Sequence, residues 1–341
     1  MKTYAILCHP QALKIYKQDA SAILSSELKA VAEAADIKIQ DAELKDIAGV
    51  SYLSFSCGNE PADVFISALA RLSGFFALFE VRSDMLLPKQ ADAGYTFTQN
   101  MPALLNYQGK TNELFTRLMI NLAQSVCAAN TEGAKTLLDP VAGKGTTLYD
   151  AMMLGYNAVG IEQNSKYFEE SGVFCTKFMQ SERMKHTTRK EKIADDKARK
   201  IADAFTLEFA KDKKTLNSKD AGLFKIFAGD MRGAQKLIKR NSVDMMVGDL
   251  PYGVQHASRS SSGRARGAEQ LVAEAMPGLS VLLKKGGSFV LSFNEYTTSK
   301  DNLGQILEKN GFIVLKKDEY SNYRHTVDSS IKRNLIAALK Q

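Results

Sequence analysis

The sequence predicts an α/β protein: a doubly wound, mostly parallel seven-stranded sheet with a small N-terminal α/β domain. Three observations predict it. From Gly109 onward, short apolar runs alternate with helical patterns, the signature of βαβ units feeding a parallel sheet. The first hundred residues form a separate, shorter alternation, divided from the rest by a turn-rich polar stretch, Ser83–Gly109. The 341 residues are 45% hydrophobic and 24% charged, an ordinary globular composition that excludes wholesale disorder. A chain of this length buries a sizeable core without disulfide or metal staples.

In order, Thr3–Cys8 reads as a strand and Gln11–Ala34 as a helix, with apolar residues at three- and four-residue steps. Val50–Cys57 alternates as a strand does, Pro61–Leu72 is a helix with Pro near its first turn, and Phe75–Val81 is a strand. Thr111–Ala129 follows as a helix capped by its Thr. Strands are expected at Thr136–Leu138, Asn157–Glu162, Leu223–Ala228, Val243–Gly248 and Ser288–Asn294. Helices fall at Thr146–Leu154, at Ala268–Lys284 with a break at Pro277, and around Leu303–Lys309. Phe312–Glu319 and Ser330–Leu339 close the chain as an antiparallel hairpin at the sheet edge. The domains are thus 1–100, an accessory unit open to a role in RNA binding, and 105–341. The second carries a charged insertion at 176–220, expected to be helical, with 13 Lys and Arg against 8 Asp and Glu. Its excess supplies most of the net charge of +7, as a solvated face or as a cationic surface for phosphates.

No apolar run approaches the roughly 18 residues that span a bilayer, and MKTYAILCHPQALKIYK lacks the apolar core and cleavage site of a secretory signal. A cytoplasmic protein is expected. Cys8, Cys57, Cys127 and Cys175 are far apart, which favours reduced, buried thiols, and the four scattered histidines assemble no metal site. A pI near 9.0 is a mild pointer to a polyanionic partner.

The chemistry concentrates in LLDPVAGKGTTLYDAMMLGYNAVGIEQNSKY, residues 137–167. A strand ends at Asp139, Gly143 and Gly145 form a loop into a helix, and the next strand ends at Glu162. Glycines let a bulky ligand approach the backbone, and a carboxylate at the second strand tip is placed to grip two ribose hydroxyls. Leu148 stands where a dinucleotide fingerprint has its third glycine, and Lys144-Gly145 is no P-loop. A nucleoside without phosphates fits better: S-adenosylmethionine (SAM), with Asp139 near its cationic methionine end. Asp230, in FAGDMR, is placed to accept from the adenine amino group. VDMMVGDLPYG then delivers Asp249-Leu250-Pro251-Tyr252. An exocyclic base amine is a poor nucleophile because its lone pair is delocalised. The Asp249 carboxylate and a Leu-Pro carbonyl can hold both N–H groups, Pro251 stiffens the loop, and Tyr252 offers a ring for stacking.

With these residues in view, the chain resembles class I SAM-dependent methyltransferases, with their Rossmann-like fold. The tetrad is similar to the Asp/Asn-Pro-Pro-aromatic motif of enzymes that methylate exocyclic amines, with Leu250 in place of the first Pro. Through DPVAGKGT, DLPYGV and the helix before them, residues 105–341 most resemble the THUMP-associated tRNA guanosine-N2 methyltransferases. The resemblance implies transfer to guanine N2 of tRNA, catalysis by Asp249, Leu250, Pro251 and Tyr252, and a cover over SAM from Tyr107–Asn112. It implies a donor site of Asp139, Pro140, Ala142, Gly143, Gly145, Thr146, Glu162, Gln163, Asp230, Met231 and Asp249.

Beyond the tetrad, Arg259, Arg264 and Arg266 in a small-residue loop are candidates for contact with a nucleic-acid backbone. Asn294, at a strand end, is a candidate pocket residue, and Tyr320 and Tyr323 with Arg324 a candidate stacking surface or an ordinary hairpin turn. Two other readings stay open on sequence: a DNA adenine-N6 methyltransferase, and a non-catalytic RNA-binding protein of the same fold.

Overall fold

The protein is described here from a computed structural model, covering residues 1–58, 60–107, 109–251 and 267–341. The N-terminal unit runs β1 (Lys2–Cys8), α1 (Pro10–Tyr16), α2 (Ala20–Ala34), β2 (Ile39–Ile47), β3 (Val50–Cys57), α3 (Asp63–Ala70), β4 (Phe75–Arg82) and β5 (Met85–Lys89). Its strands form an antiparallel sheet in the order β2-β3-β1-β4-β5. Alternation puts Tyr4, Ile6, Leu53 and Phe55 on one face, packed with Ile23, Leu24 and Leu28 of α2. β2 and β5 were not expected: β2 is polar and exposed for most of its length, so it carries little hydrophobic signal.

The larger unit runs α4 (Glu113–Val126), β6 (Thr136–Asp139), α5 (Thr146–Met153), β7 (Asn157–Glu162), α6 (Ser165–Ser181), β8 (Lys185–Ala194), β9 (Lys200–Ala210), α7 (Lys213–Leu216), β10 (Gly222–Ala228) and β11 (Val243–Asp249). It ends with α8 (Ala268–Ser280), β12 (Leu283–Asn294), α9 (Lys300–Lys309), β13 (Phe312–Val314), α10 (Asp318–Ser321), β14 (His325–Thr326) and β15 (Lys332–Lys340). The sheet order is β13-β15-β12-β11-β6-β7-β10-β9-β8, with β14 on β15. The five strands from β10 to β12 are mutually parallel; β15 runs antiparallel to them, and β13, antiparallel to β15, shares the direction of the five. This is the doubly wound, seven-stranded sheet, extended at one edge by β8 and β9. The strand order reverses between β6 and β11, where a crevice opens at the carboxyl ends.

Three expectations are corrected. The 176–220 insertion is an antiparallel β8–β9 hairpin after the end of α6, and only α7 is helical. Its charge density suggested a helix, but Phe205, Leu207 and Phe209 recur at every second residue and are buried, the period of a strand. Phe312–Glu319 stops as a strand at Val314 and gives way to the α10 turn. The cap of α4 is Asn112, whose Oδ1 accepts from Leu114 N–H at 2.8 Å; Thr111 points elsewhere.

One apolar cluster continues from β1 and α2 through Phe115, Leu118 and Leu122 of α4 to Leu137 and Val247, so the two units share a core. The buried Glu27 carboxylate reinforces the join, accepting from Ser73 N–H at 2.9 Å and Asn121 Nδ2 at 2.8 Å. Cys8, Cys57 and Cys175 are buried and Cys127 is half-buried, and no disulfide joins any of the four. Among the described residues no helix is long and apolar enough to cross a membrane, and no cluster of His, Cys, Asp or Glu could hold a metal ion.

Candidate active site

The strand tips enclose a crevice of about 440 Å³, lined on one side by the loop after β6 and by β7, and on the other by Asp249, Leu250 and Pro251 after β11. Local backbone chemistry builds the first side. Asp139 ends β6 and turns its Oδ1 back to accept from Val141 N–H at 2.9 Å. Gly143 and Gly145 have φ of +55° and +93°, a left-handed region that strains any side chain. At Gly145, which starts α5, a Cβ would also lie 2.8 Å from the Tyr149 ring. Glu162, at the tip of β7, accepts from Gly143 N–H at 2.7 Å and Asn164 N–H at 2.6 Å. The second carboxylate therefore shapes the glycine loop while its oxygens remain on the crevice wall.

Electrostatically the crevice is acidic. Burial pushes the Asp139 carboxyl up to about 7, helped by the charges of Asp249 and Glu162 and opposed by bonds from Val141 N–H and the Thr147 hydroxyl. Burial raises Glu162 as well, against its backbone bonds. Asp230 lies lower than usual because Arg232 grips it, with Nε on Oδ1 at 2.8 Å and Nη2 on Oδ2 at 2.5 Å. Lys144, the one cation lining the crevice among the described residues, turns to Glu170 at 2.7 Å, its ammonium about 5 Å from the Tyr107 and Tyr167 ring centres.

These residues fit SAM. Buried carboxylates repel a pyrophosphate and attract a sulfonium or ammonium, Lys144 is engaged elsewhere, and both loop glycines leave backbone exposed. Asp139, Pro140, Ala142, Gly143, Thr146, Glu162, Gln163, Asp230, Met231 and Asp249 all line the same crevice. Gly145 is absent from the lining and sets the loop's exit instead. Asp230 reaches the crevice already bonded to Arg232, a partner the sequence reading did not foresee.

Long-range contacts build the acceptor side. The Thr111 hydroxyl donates to Asp249 Oδ2 at 2.5 Å, across 138 positions. Arg333 of β15, nearly buried, stands 3.7 Å from the same oxygen with its guanidinium 4.5 Å from the Phe115 ring centre. Leu250 is buried and its N–H donates to Ser292 O at 3.0 Å, anchoring the start of the tetrad to β12. Tyr107 OH lies 3.2 Å from Thr146 Oγ1, so the approach to α4 touches both halves of the crevice. Spacing signalled neither Thr111 nor Arg333, since each meets Asp249 only through the fold.

Two candidates are displaced. Asn294 is buried and outside the crevice lining: its Nδ2 donates to Ser330 O at 3.0 Å and its Oδ1 accepts from Lys332 N–H at 3.1 Å. It ties β12 to the turn before β15. Tyr320 and Tyr323 offer no stacking surface either, being buried with hydroxyls on Glu33 and on the Glu319 carbonyl. Tyr252, Arg259, Arg264 and Arg266 lie outside the described residues.

Comparison with known proteins gives this crevice a context. None of the curated proteins matches the chain in sequence. Among solved structures it is similar to TrmN from Thermus thermophilus, at 15% identity and TM-score 0.41, covering 75% of this chain and 56% of that one. The chain thus spans little more than half of TrmN. It is also similar to magnesium protoporphyrin IX methyltransferase (ChlM) from Synechocystis, solved with bound SAM, at 11% identity and TM-score 0.38, covering 69% and 87%. A candidate RNA methyltransferase of Pyrococcus horikoshii gives 13% identity and TM-score 0.38, covering 72% and 91%. The decisive match is to a family model described as the RMKL-like, methyltransferase domain (UPF0020), over residues 110–315. That span takes in the helix before the glycine loop, the loop itself and the tetrad strand, and it is more than half of the chain. The protein therefore belongs to the family of the RMKL-like methyltransferase domain.

Proposed function

We propose that the protein methylates an exocyclic amine of a base in a structured RNA, with guanine N2 of tRNA as the target. The single observation that carries this reading is Asp249. It stands at the tip of β11 on the wall of the donor crevice, with Oδ2 fixed by Thr111 at 2.5 Å. A carboxylate so placed accepts an N–H of the target amine, favours a more tetrahedral nitrogen and aims its lone pair into the crevice. Rate enhancement then comes from positioning and fixed charge.

When bound, SAM supplies a methyl group activated by its sulfonium. Glu162 would hold the ribose hydroxyls, Asp230 and Met231 the adenine end, and Asp139 the methionine end. Leu250 and Pro251 anchor the acceptor loop, Tyr252 would stack on the base, and Arg259, Arg264 and Arg266 would contact the RNA backbone. The test is mass spectrometry of nucleosides from RNA and DNA of cells lacking the gene. Loss of N2-methylguanosine from tRNA is the expected result. Loss of N6-methyladenine from DNA, or no loss in either polymer, defeats the reading.

A further inference from the structure

The β8–β9 hairpin is not needed to complete the sheet. β10 would otherwise be its edge, yet the chain spends residues 185–210 on two further strands. Register shows where they lead. Ala228, at the carboxyl end of β10, pairs with Asp203, and Asp203 pairs with Lys192, so residues 193–201 continue past the level at which the crevice opens. Lys185, Arg189, Lys190, Lys192, Lys197, Arg199 and Lys200 are all exposed, and although Arg189 pairs with Glu191, Lys190 with Glu169, Arg199 with Asp195 and Lys200 with Asp203, seven cations against three acids in residues 185–200 leave an excess of four positive charges. The outward surface is thus cationic.

Lysines along an exposed edge strand commonly serve only to prevent pairing with another chain. That accounts for Lys190 or Lys192, and Arg199 closes the turn on Asp195, but Lys197 lies beyond the last rung of the ladder and guards no edge. A second observation points to a ligand. Between α6 and the hairpin lies a cavity of about 330 Å³ whose lining includes Gly172, Val173, Phe205, Glu169, Lys177 and Lys190. Val173 is 51% exposed, an apolar side chain left open beside two cations. The acid there, Glu169, pairs with Lys190 at 2.7 Å. The apolar lining, with Lys177 beside the Lys190–Glu169 pair, matches the face of a base and the phosphate attached to it.

We infer that the groove between α6 and the hairpin, with the hairpin tip, is a docking surface for RNA, which holds the substrate away from the methylated base. This rests on the reading of the acceptor as RNA. At about 4.8 Å per strand, β8 lies roughly 24 Å from β11, a distance that a folded RNA spans and a free nucleotide does not.

The experiment uses the full chain with Lys177, Lys190 and Lys192 changed to Gln, and separately Val173→Glu. Total tRNA is the ligand, in filter binding from 50 to 300 mM salt. The triple variant should bind on the order of 10–100-fold more weakly, with its log–log salt slope reduced by about 2. Val173→Glu should weaken binding with wild-type melting. Donor affinity, read by calorimetry, should stay unchanged in both. Wild-type tRNA affinity and slope in the triple variant overturn the inference, as does loss of solubility with no change in binding. So does docking of anionic vesicles by this face in place of tRNA. Weakened tRNA binding with no RNA modification traced to the gene would sink the proposed reaction and leave the docking surface standing.

Discussion

The two walls of the crevice hold their carboxylates by different means. On the donor wall, Asp139 and Glu162 are fixed from within 19 residues of themselves in sequence, by backbone N–H groups 2.6 to 2.9 Å away and, at Asp139, by the Thr147 hydroxyl as well. On the acceptor wall, Asp249 is fixed by side chains: Thr111 from the approach to α4, and Arg333 from the far strand β15. Backbone donors cannot be mutated away and side chains can. The donor site is therefore rigid by local construction, whereas the acceptor depends on correct closure of the whole sheet.

The sharpest way to separate the walls is Asp249→Ala. It should lower kcat roughly 10³-fold while SAM affinity, measured by calorimetry, stays within a few-fold. Retained turnover would remove the amine-positioning role. Glu162→Ala should do the reverse, weakening SAM roughly 10–100-fold, because it removes a charged acceptor and strands two backbone N–H groups. Unchanged SAM affinity would mean that Glu162 only braces the loop.

Thr111 probes the join between the walls. Thr111→Val keeps the shape and removes the hydroxyl, and should cut kcat roughly 10–30-fold with KM for SAM little changed. Thr111→Ser should restore most of the rate. Equal rates for Val and Ser would show that Thr111 only packs.

The same division explains what could be read in advance. Glycines, strand-end carboxylates and the tetrad are local signals, so the sheet order and the donor wall follow from short stretches of chain. Thr111 and Arg333 carry no such mark, since a Thr before a helix and an Arg in a strand occur everywhere. Asn294 misled for the converse reason: a polar residue at a strand end suggests a pocket, but here it satisfies the backbone of the neighbouring turn. The hairpin reads as a helix in the sequence because its cations hide an alternation that only the buried Phe205, Leu207 and Phe209 reveal.

The smallest effect concerns pH and belongs to the donor wall alone. With the Asp139 carboxyl pushed up to about 7 by burial, the free protein holds a proton there through the mildly acidic range. A cationic ligand favours the carboxylate, so binding expels that proton and affinity must rise with pH until the group is ionised beforehand. SAM affinity should therefore fall about tenfold from pH 8 to pH 6 and change little above pH 8. Asp139→Asn should bind more weakly at pH 8 and flatten the profile, since no proton remains to be released. Glu162, also raised by burial, faces the same ligand, and the Asn variant separates the two. A wild-type profile that is level across this range would place the cationic end of the donor away from Asp139, and the acidity of the crevice would then serve the loop and not the ligand.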